Sequence, residues 1–317
     1  MKKLVIGGSG FVGSVLTEKL VERGEKVIVF DNLRFGYYKN ISHLPIEFIE
    51  GDIQQPEILQ NYIDQIDTIY FLATVNIIAA EGDYSDCIST NILGLNKILD
   101  LTKGKKHINR FVYTSTSSIY GNGADITEES PCDFLNIYAT TKYAGECLCR
   151  LYENNENLPL TIIRYTNTYG KNQRPESPYC GVIGKFVEKA IKGENIEING
   201  SGQQLRDFMS VDDTTELTIE LSLLPLTLGQ SINLNTNKSY TIKNIAEIIK
   251  RLSKSNSNIV TVTERKIDNI KCRKLRNDKL LSFIDWEFLD IEEGIIRTIE
   301  WYKNNYKNEI QHNIDIL

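Results

Sequence analysis

The sequence has only three histidines, His43, His107 and His312, and they lie too far apart to form a metal-binding pattern such as H-E-x-x-H. Its six cysteines contain no C-x-x-C pair, and the spacing of Cys147 and Cys149 fits neither a zinc knuckle nor a thioredoxin motif. In a chain of 317 residues such cysteines are typical of reduced thiols, which predicts a cytoplasmic protein. We therefore expect no metal centre.

Long apolar runs and an excess of positive charge are also missing. The longest largely apolar stretch, residues 69–80, is shorter than the ~20 residues that cross a bilayer, and only three apolar residues follow Lys3, too few for a signal peptide. With 36 basic and 42 acidic residues the net charge is −6, which gives no general attraction to nucleic acid or to an anionic membrane. We expect neither as a partner, so an anionic ligand would need a local pocket.

The first 170 residues show the alternation that is typical of βαβ units. Short β-branched runs predict strands at 4–6, 26–30, 47–50, 68–72, 110–114 and 160–164, and segments of helical period at 12–23, 86–102 and 138–154 predict crossover helices. This order predicts an α/β fold class: a Rossmann-type, doubly wound parallel sheet, with residues 1–170 as a dinucleotide-binding domain.

After residue 170 the alternation stops at a loop, 171–184, that is rich in Asn, Pro and Gly. A strand at 231–234 and helices at 242–253 and 292–306 then predict a smaller α+β lobe over residues 171–317, and two segments, near 207–216 and 230–236, are expected to return to the first domain. A chain of this length also exceeds the usual size of a single core, which supports a division into two parts.

A glycine-rich segment directly follows the first predicted strand and opens the first predicted helix. Gly7, Gly10 and Gly13, with Phe11 and Val12 between the last two, fit the pattern that binds a dinucleotide. Glycine is needed there because the chain turns tightly, the backbone approaches a pyrophosphate, and the helix N-terminus must meet that anion. The alternative is a glycine-rich turn without a ligand.

Two acidic positions at later strand ends bear on which dinucleotide binds. Asp31, 18 residues after Gly13, can accept hydrogen bonds from the adenosine ribose and would repel the 2′-phosphate of NADP, although Arg34 could attract it. We therefore predict NAD, with Asn32 among the residues that bind it. Asp52 and Ile53 follow the third strand and are expected near the adenine, unless Asp52 only caps the next turn.

Tyr138 and Lys142 stand four residues apart and so share one face of a predicted helix. An ammonium group near a phenol lowers the phenol's pKa from about 10 and makes it a usable acid or base. The spacing alone carries little weight, but the pair opens the helix after the fifth strand, 22 residues beyond the hydroxyl-rich strand end at Thr116.

Taken in order, these motifs resemble the extended short-chain dehydrogenase/reductase family, in its NAD-dependent nucleotide-sugar epimerase/dehydratase branch, which includes the UDP-glucose 4-epimerases. The matching pieces run nearly end to end: residues 7–13, 31–33, 51–53, Leu72 with Ala73, Asn91, Thr116 with 119–121, 138–142, Arg164 with 167–170, 200–208, 211–213, 292–294 and Trp301. Ile6, Phe71, Lys171 and Gly184 depart from the family pattern without removing a catalytic group.

The resemblance implies a role for each matching position. Tyr138 would be the acid/base, Lys142 would bind the nicotinamide ribose and lower the pKa of the tyrosine, and Thr116 would hydrogen-bond the reacting sugar hydroxyl. Leu72, Ala73 and Thr74 would line the cofactor site. The second lobe would hold the nucleotide-diphosphate sugar through four further residues: Asn167, Arg206, Arg265 and Asp268. For Arg206 the alternative is a surface salt bridge, and the register at Arg265 is loose.

The resemblance also bears on the reaction. Dehydratases and decarboxylases of this branch carry a glutamate two residues before the tyrosine of the strand-end motif, where this chain has Ser118. A hydroxyl of high pKa moves the required proton poorly, so elimination is disfavoured. This leaves oxidation at one sugar carbon, with or without return of the hydride; we predict a 4-epimerase, which oxidises C4 to a ketone and returns the hydride to the other face. A 4-keto reductase, a 2-epimerase, a dehydratase and a non-catalytic NAD sensor are the alternatives.

Two further expectations rest on the resemblance. The family implies a homodimer joined through the helices that begin near Asp86 and Tyr138. Arg273 falls near the wall that admits or refuses an N-acetyl group, and its bulk favours a plain hexose or a uronic acid.

Overall fold

The computed structural model describes residues 1–76, 83–177, 179–264 and 270–314, without the side chains after residue 305. Its strands are β1 (Lys2–Ile6), β2 (Val27–Asp31), β3 (Glu47–Glu50), β4 (Ile66–Phe71), β5 (Arg110–Thr116), β6 (Gly123–Ile126), β7 (Leu160–Tyr165), β8 (Asn167–Tyr169), β9 (Ile196–Asn199), β10 (Leu205–Ser210), β11 (Gln230–Leu234), β12 (Ser239–Thr241), β13 (Ile259–Val262) and β14 (Arg273–Leu275). Its helices are α1 (Phe11–Glu22), α2 (Tyr84–Ile88), α3 (Leu95–Leu101), α4 (Ile137–Glu156), α5 (Val182–Lys192), α6 (Val211–Leu223), α7 (Ile242–Ser253), α8 (Asp278–Phe283) and α9 (Ile291–Ile314).

Seven parallel strands form the main sheet, in the order β3-β2-β1-β4-β5-β7-β11. Strands β2 and β5 are buried along their whole length, as expected of strands that helices cover on both faces. The strand order reverses between β1 and β4, and a crevice opens outside the carboxyl ends of the strands at such a point. The predicted doubly wound fold is confirmed.

The predicted helix at 86–102 is interrupted. Helix α2 runs into a π-helical segment, Ser89–Gly94, before α3 begins. Asn91 in that segment is buried, and its side chain accepts a hydrogen bond from Val75 N (2.7 Å) and donates to Val75 O (2.9 Å) and to Thr141 Oγ1 (3.0 Å). The π-helical segment therefore fixes the loop after β4 against helix α4, at the edge of the crevice.

The later part of the chain forms its own apolar cluster, in which helices α5, α7 and α9 contact one another. Strand β11 lies at the edge of the main sheet beside β7. The segment at 207–216, which was expected to return to the first domain, divides: strand β10 joins a three-stranded sheet with β8 and β12, whereas helix α6 packs beside α1. A four-residue strand, β6, pairs with β14 from near the C-terminus. Strands this short give no periodic signal, so the sequence did not predict them.

In the described parts of the chain, no helix combines the length and the apolar character that a membrane crossing requires.

Candidate active site

A cavity of about 370 Å³ lies at the carboxyl ends of the central strands of the main sheet. Its volume is within the range of small-molecule sites. Most of the residues that the sequence singled out line it: Gly7, Gly10, Phe11, Val12, Gly13, Asp31, Asn32, Ile53, Leu72, Ala73, Thr74, Thr116, Tyr138, Lys142 and Asn167. The fold thus brings together in one place residues that lie up to 160 positions apart.

The glycine loop forms a cradle of bare backbone at one end of the cavity. Gly7 has a φ of +81°, and a Cβ at this position would lie 2.7 Å from Ala73 N. A Cβ at Gly13 would lie 2.1 Å from Gly7 O. Helix α1 begins at Phe11, and the N–H groups of its first turn have no partners within the helix. The cradle therefore fits the pyrophosphate of a dinucleotide, which needs close backbone approach and a helix N-terminus.

Asp31, at the end of β2, is held firmly at the cavity wall. Its carboxylate accepts hydrogen bonds from Ser9 N (2.9 Å) and Leu33 N (2.8 Å). Burial raises its pKa, and those two hydrogen bonds oppose the rise. Arg34 also lines the cavity but forms an ion pair with Asp86 (2.7 Å). A fixed carboxylate beside an arginine that is already paired suits a ribose hydroxyl better than a 2′-phosphate.

Asp52 is placed differently from its prediction. It does not line the cavity formed by the described residues; its Oδ2 accepts a hydrogen bond from Asn32 Nδ2 (2.8 Å), and its Oδ1 accepts one from Gln54 N (2.8 Å). The second bond is the turn-capping contact that the sequence offered as the alternative. Ile53, the next residue, does line the cavity.

The three predicted catalytic side chains converge from β5 and α4. Thr116 ends β5, and its hydroxyl accepts a hydrogen bond from Ser118 N (3.1 Å) and forms another with the phenol of Tyr138. Asn136 caps α4 by accepting a hydrogen bond from Ala139 N (2.9 Å), which places Tyr138 in the first turn. Lys142 follows one turn later and is only 2% exposed. Its Nζ lies 4.4 Å from the ring centroid of Tyr113.

Burial dominates the protonation of this group. It raises the pKa of Tyr138 to about 12, although the Thr116 hydrogen bond and the charge of Arg273 act in the opposite direction. It lowers the pKa of Lys142 to about 8. The sequence predicted a net fall in the pKa of Tyr138 through Lys142, and the structure shows a net rise. The reason is that burial disfavours the charged form of each group, and this cost is the largest effect on both pKa values.

The residues predicted to hold the diphosphate differ in where the structure places them. Asn167 lines the cavity, and its Nδ2 donates to Asp207 O (2.8 Å), which ties β8 to β10. Arg206 is buried, donates to Leu205 O (3.0 Å), and is absent from the lining that the described residues provide. Because it is buried, it is not a surface residue. Arg265 and Asp268 lie outside the described residues.

The sequence did not predict one part of the cavity lining, the cover, which is formed by Phe35 and Tyr37 from the loop after β2 and by Arg174 and Tyr179 from the loop before α5. The rings of Tyr179 and Phe35 lie 4.8 Å apart, and the Arg174 guanidinium lies 3.8 Å above the ring of Tyr37. Tyr179 also donates a hydrogen bond to Thr74 O (2.8 Å). The one available signal was the length of the loop at 171–184, since long loops without secondary structure are usually functional.

Comparison with known proteins agrees with this geometry. Residues 3–223 match the model of the NAD dependent epimerase/dehydratase family. The chain is 32% identical to the UDP-N-acetyl-alpha-D-glucosaminuronate decarboxylase of Bacillus cytotoxicus, over 96% of this chain and 98% of that protein.

Two solved structures are similar over nearly the whole chain. The UDP-glucose 4-epimerase of Thermotoga maritima, solved with UDP-glucose, gives a TM-score of 0.89 at 27% identity and covers 96% of this chain and 99% of its own. The UDP-glucuronic acid 4-epimerase of Bacillus cereus, solved with UDP-glucuronic acid and NAD, gives 0.88 at 25% identity, with 96% and 100% covered.

Proposed function

Because the chain belongs to the NAD dependent epimerase/dehydratase family, and is therefore an NAD-dependent enzyme, we propose that it is a UDP-hexose 4-epimerase. One observation carries the proposal: Thr116, Tyr138 and Lys142 share the wall of the cavity that also holds the glycine cradle, while the neutral Ser118 follows Thr116. Thr116, Tyr138 and Lys142 can together move a proton at a sugar hydroxyl. Ser118 cannot supply the acid or base that an elimination needs.

NAD, when bound, supplies the acceptor and donor for the C4 hydride. Gly7, Gly13 and the N-terminus of α1 would hold its pyrophosphate, and Asp31 would hold its adenosine ribose. Lys142 would have the two functions that the family resemblance implies: hydrogen bonding to the nicotinamide ribose and attraction of the phenolate charge. The same NAD serves every cycle, so an enzyme of this kind gains from holding it tightly.

Tyr138 is the residue that exchanges the proton of the 4-hydroxyl. Its phenolate accepts that proton during oxidation at C4 and gives it back when the alcohol is restored. Thr116, already hydrogen-bonded to the phenol, orients the same sugar hydroxyl. The high pKa of the buried phenol means that turnover needs positive charge near it. Arg273 supplies some of it, and the cofactor ring, with Lys142 in the role that the family resemblance implies, would supply more.

The diphosphate of the substrate would lie beside Asn167, at the junction of the two lobes. Arg206, Arg265 and Asp268 stay predictions as diphosphate contacts. For Arg206 the prediction also requires its side chain to change position, because the side chain is buried and does not line the cavity. The structures of the Thermotoga maritima and Bacillus cereus epimerases support a UDP-linked sugar as the substrate, since each contains a bound UDP-sugar.

We also propose a homodimer in the cytoplasm. Ile88, Leu93 and Leu151 are large apolar side chains exposed by 41%, 56% and 53%. They lie on the two helical regions through which the family resemblance implies dimerisation. A second copy would cover them. All six cysteines are free thiols, which is typical of a reducing compartment.

A nucleotide-sugar decarboxylase is the second candidate, favoured by the identity of 32% to the Bacillus cytotoxicus enzyme. It would need another group to replace the carboxyl that Ser118 lacks. A 4-keto reductase, a 2-epimerase and a 4,6-dehydratase are the other family reactions. A non-catalytic NAD sensor would have no reason to keep Thr116, Tyr138 and Lys142 together.

The deciding experiment incubates the purified protein with UDP-glucose, UDP-galactose and UDP-glucuronic acid, without added cofactor, and follows the products by NMR. We expect the C4 epimer, no loss of water or carbon dioxide, and no turnover by the Tyr138→Phe variant with NAD content unchanged. Tyr143→Phe on the same helix is the matched control and should turn over normally. Release of carbon dioxide, or unchanged turnover in Tyr138→Phe, would contradict the proposal.

A further inference from the structure

Arg273 stands on β14, more than 150 residues after the turn at residues 117–121 that follows Thr116, yet it is buried against that turn. Strand β14 pairs in parallel with β6, with Arg273 opposite Gly123. Two hydrogen bonds support the same junction: Gly123 N donates to Cys272 O (2.9 Å), and Lys271 N donates to the side-chain Oδ1 of Asn122 (2.8 Å). The strand pairing therefore carries the guanidinium to one fixed place, in spite of its length and flexibility.

The guanidinium holds the turn that directly follows Thr116. Its Nε donates to Gly121 O (3.1 Å), and its Nη1 lies 3.4 Å from Ser118 Oγ. Ser118 in turn donates its backbone N–H to Thr116 Oγ1 (3.1 Å). A chain of hydrogen bonds therefore links Arg273 through the turn to the hydroxyl that contacts Tyr138.

The guanidinium also brings positive charge close to the phenol of Tyr138. The titratable groups that interact electrostatically with that phenol come from several elements: Cys87 on α2, Tyr113 on β5, Tyr179 in the loop before α5 and Arg273 on β14. Lys142 stands one turn further along α4, the helix that carries Tyr138. Cys87 raises the pKa of Tyr138, and Arg273 lowers it. Ser118 is neutral, so no carboxylate at that position cancels the charge of the arginine.

We infer that Arg273 is a positioning residue for the Thr116–Tyr138 pair: it fixes the turn that follows Thr116 and supplies a buried positive charge beside the phenol. The inference rests on the proposed function, because it assumes that Tyr138 is the acid/base. It assigns to a strand of the second lobe a role in preparing the tyrosine, whereas the family resemblance assigned that role to Lys142 alone. Loss of the guanidinium should reduce kcat and leave KM for the sugar nearly unchanged.

The test titrates Tyr138 directly in the NAD-bound protein, by near-ultraviolet absorbance of tyrosinate with the Tyr138→Phe spectrum subtracted. In Arg273→Met we expect the titration to move up by about one pH unit, as for loss of a nearby opposite charge, and turnover of UDP-glucose at neutral pH to fall about tenfold. Arg273→Lys should restore the titration but only part of kcat, because one ammonium cannot reproduce the guanidinium's fork. Arg276→Met, which removes an exposed arginine three residues away, is the control and should change neither.

Should Arg273→Met fail to fold, Arg273→Gln removes the charge and keeps an amide that can donate to Gly121 O. An unchanged titration of Tyr138 in these charge-removing variants would overturn the inference. The two proposals are tested by different measurements. If the wild-type protein turns over no UDP-sugar, the 4-epimerase proposal is wrong, and the titration of Tyr138 still decides whether Arg273 acts on the phenol.

Discussion

Replacing Lys142 with methionine should abolish turnover and yet stabilise the folded protein at neutral pH. Burial lowers the pKa of this lysine from 10.5 to about 8. At about 1.4 kcal/mol per pKa unit, keeping it charged in the folded state costs roughly 3 kcal/mol. Methionine fills a similar volume without that cost. The variant also loses the ammonium contact with the ring of Tyr113, 4.4 Å away, which is worth up to about 2 kcal/mol in a dry site. The desolvation cost is larger, so a net gain of about 1 to 3 kcal/mol remains.

The sign of the pH dependence provides a second check. Between about pH 8 and 10.5 the unfolded chain holds a proton at Lys142 that the folded protein has released, so wild-type stability rises with pH in that window. Below about pH 8 the lysine is charged in both states and its cost is constant. The advantage of Lys142→Met should therefore be largest at pH 7 and should shrink as the pH approaches 10.5.

The assay is urea unfolding followed by circular dichroism at several pH values. Nucleotide is first removed from both proteins, because any ligand bound only to the folded state would add to stability. Lys274→Met, at an exposed position on β14, controls for the loss of one positive charge. A Lys142→Met variant that is no more stable than wild type at pH 7, or a difference that does not vary with pH, would refute the reasoning.

Three further predictions concern the cavity. Thr116→Val removes the hydrogen bond that lowers the pKa of Tyr138, so less phenolate forms at a given pH. The acidic limb of the plot of kcat against pH should therefore move up by about one pH unit, whereas Thr116→Ser, which keeps the hydroxyl, should not move it. Tyr179→Phe loses one hydrogen bond of the cover, worth about 1 kcal/mol, so NAD should dissociate about fivefold faster in a dialysis or fluorescence assay, and an unchanged rate would show that the cover does not retain the cofactor. Gly13→Ala should reduce the free energy of unfolding by about 1 to 3 kcal/mol and lower the NAD content on purification, because its Cβ would lie 2.1 Å from Gly7 O. Gly10→Ala, whose Cβ would lie 3.3 Å from the same oxygen, should have a much smaller effect, and equal effects would contradict the account of the cradle.

Features governed by local periodicity were predictable from the sequence. Strand β2 begins with four consecutive apolar residues because helices cover both faces of the sheet, and the glycine-rich segment at 7–13 follows a strand because a dinucleotide turn requires it there. The convergence of Thr116 and Tyr138 also follows from sequence order, since parallel strands place all their carboxyl ends at one edge.

The sequence by itself thus determined the doubly wound sheet, the cofactor cradle and the residues that could act on a sugar hydroxyl. Only the tertiary structure decided that Arg206 is buried off the cavity wall, that Arg273 reaches Ser118 from 155 residues away, and that the pKa of Tyr138 rises in its surroundings. The physical reason is the same in each case. Burial and the pairing of short, distant strands depend on contacts between segments far apart in the chain, and residue spacing within one segment carries no information about them.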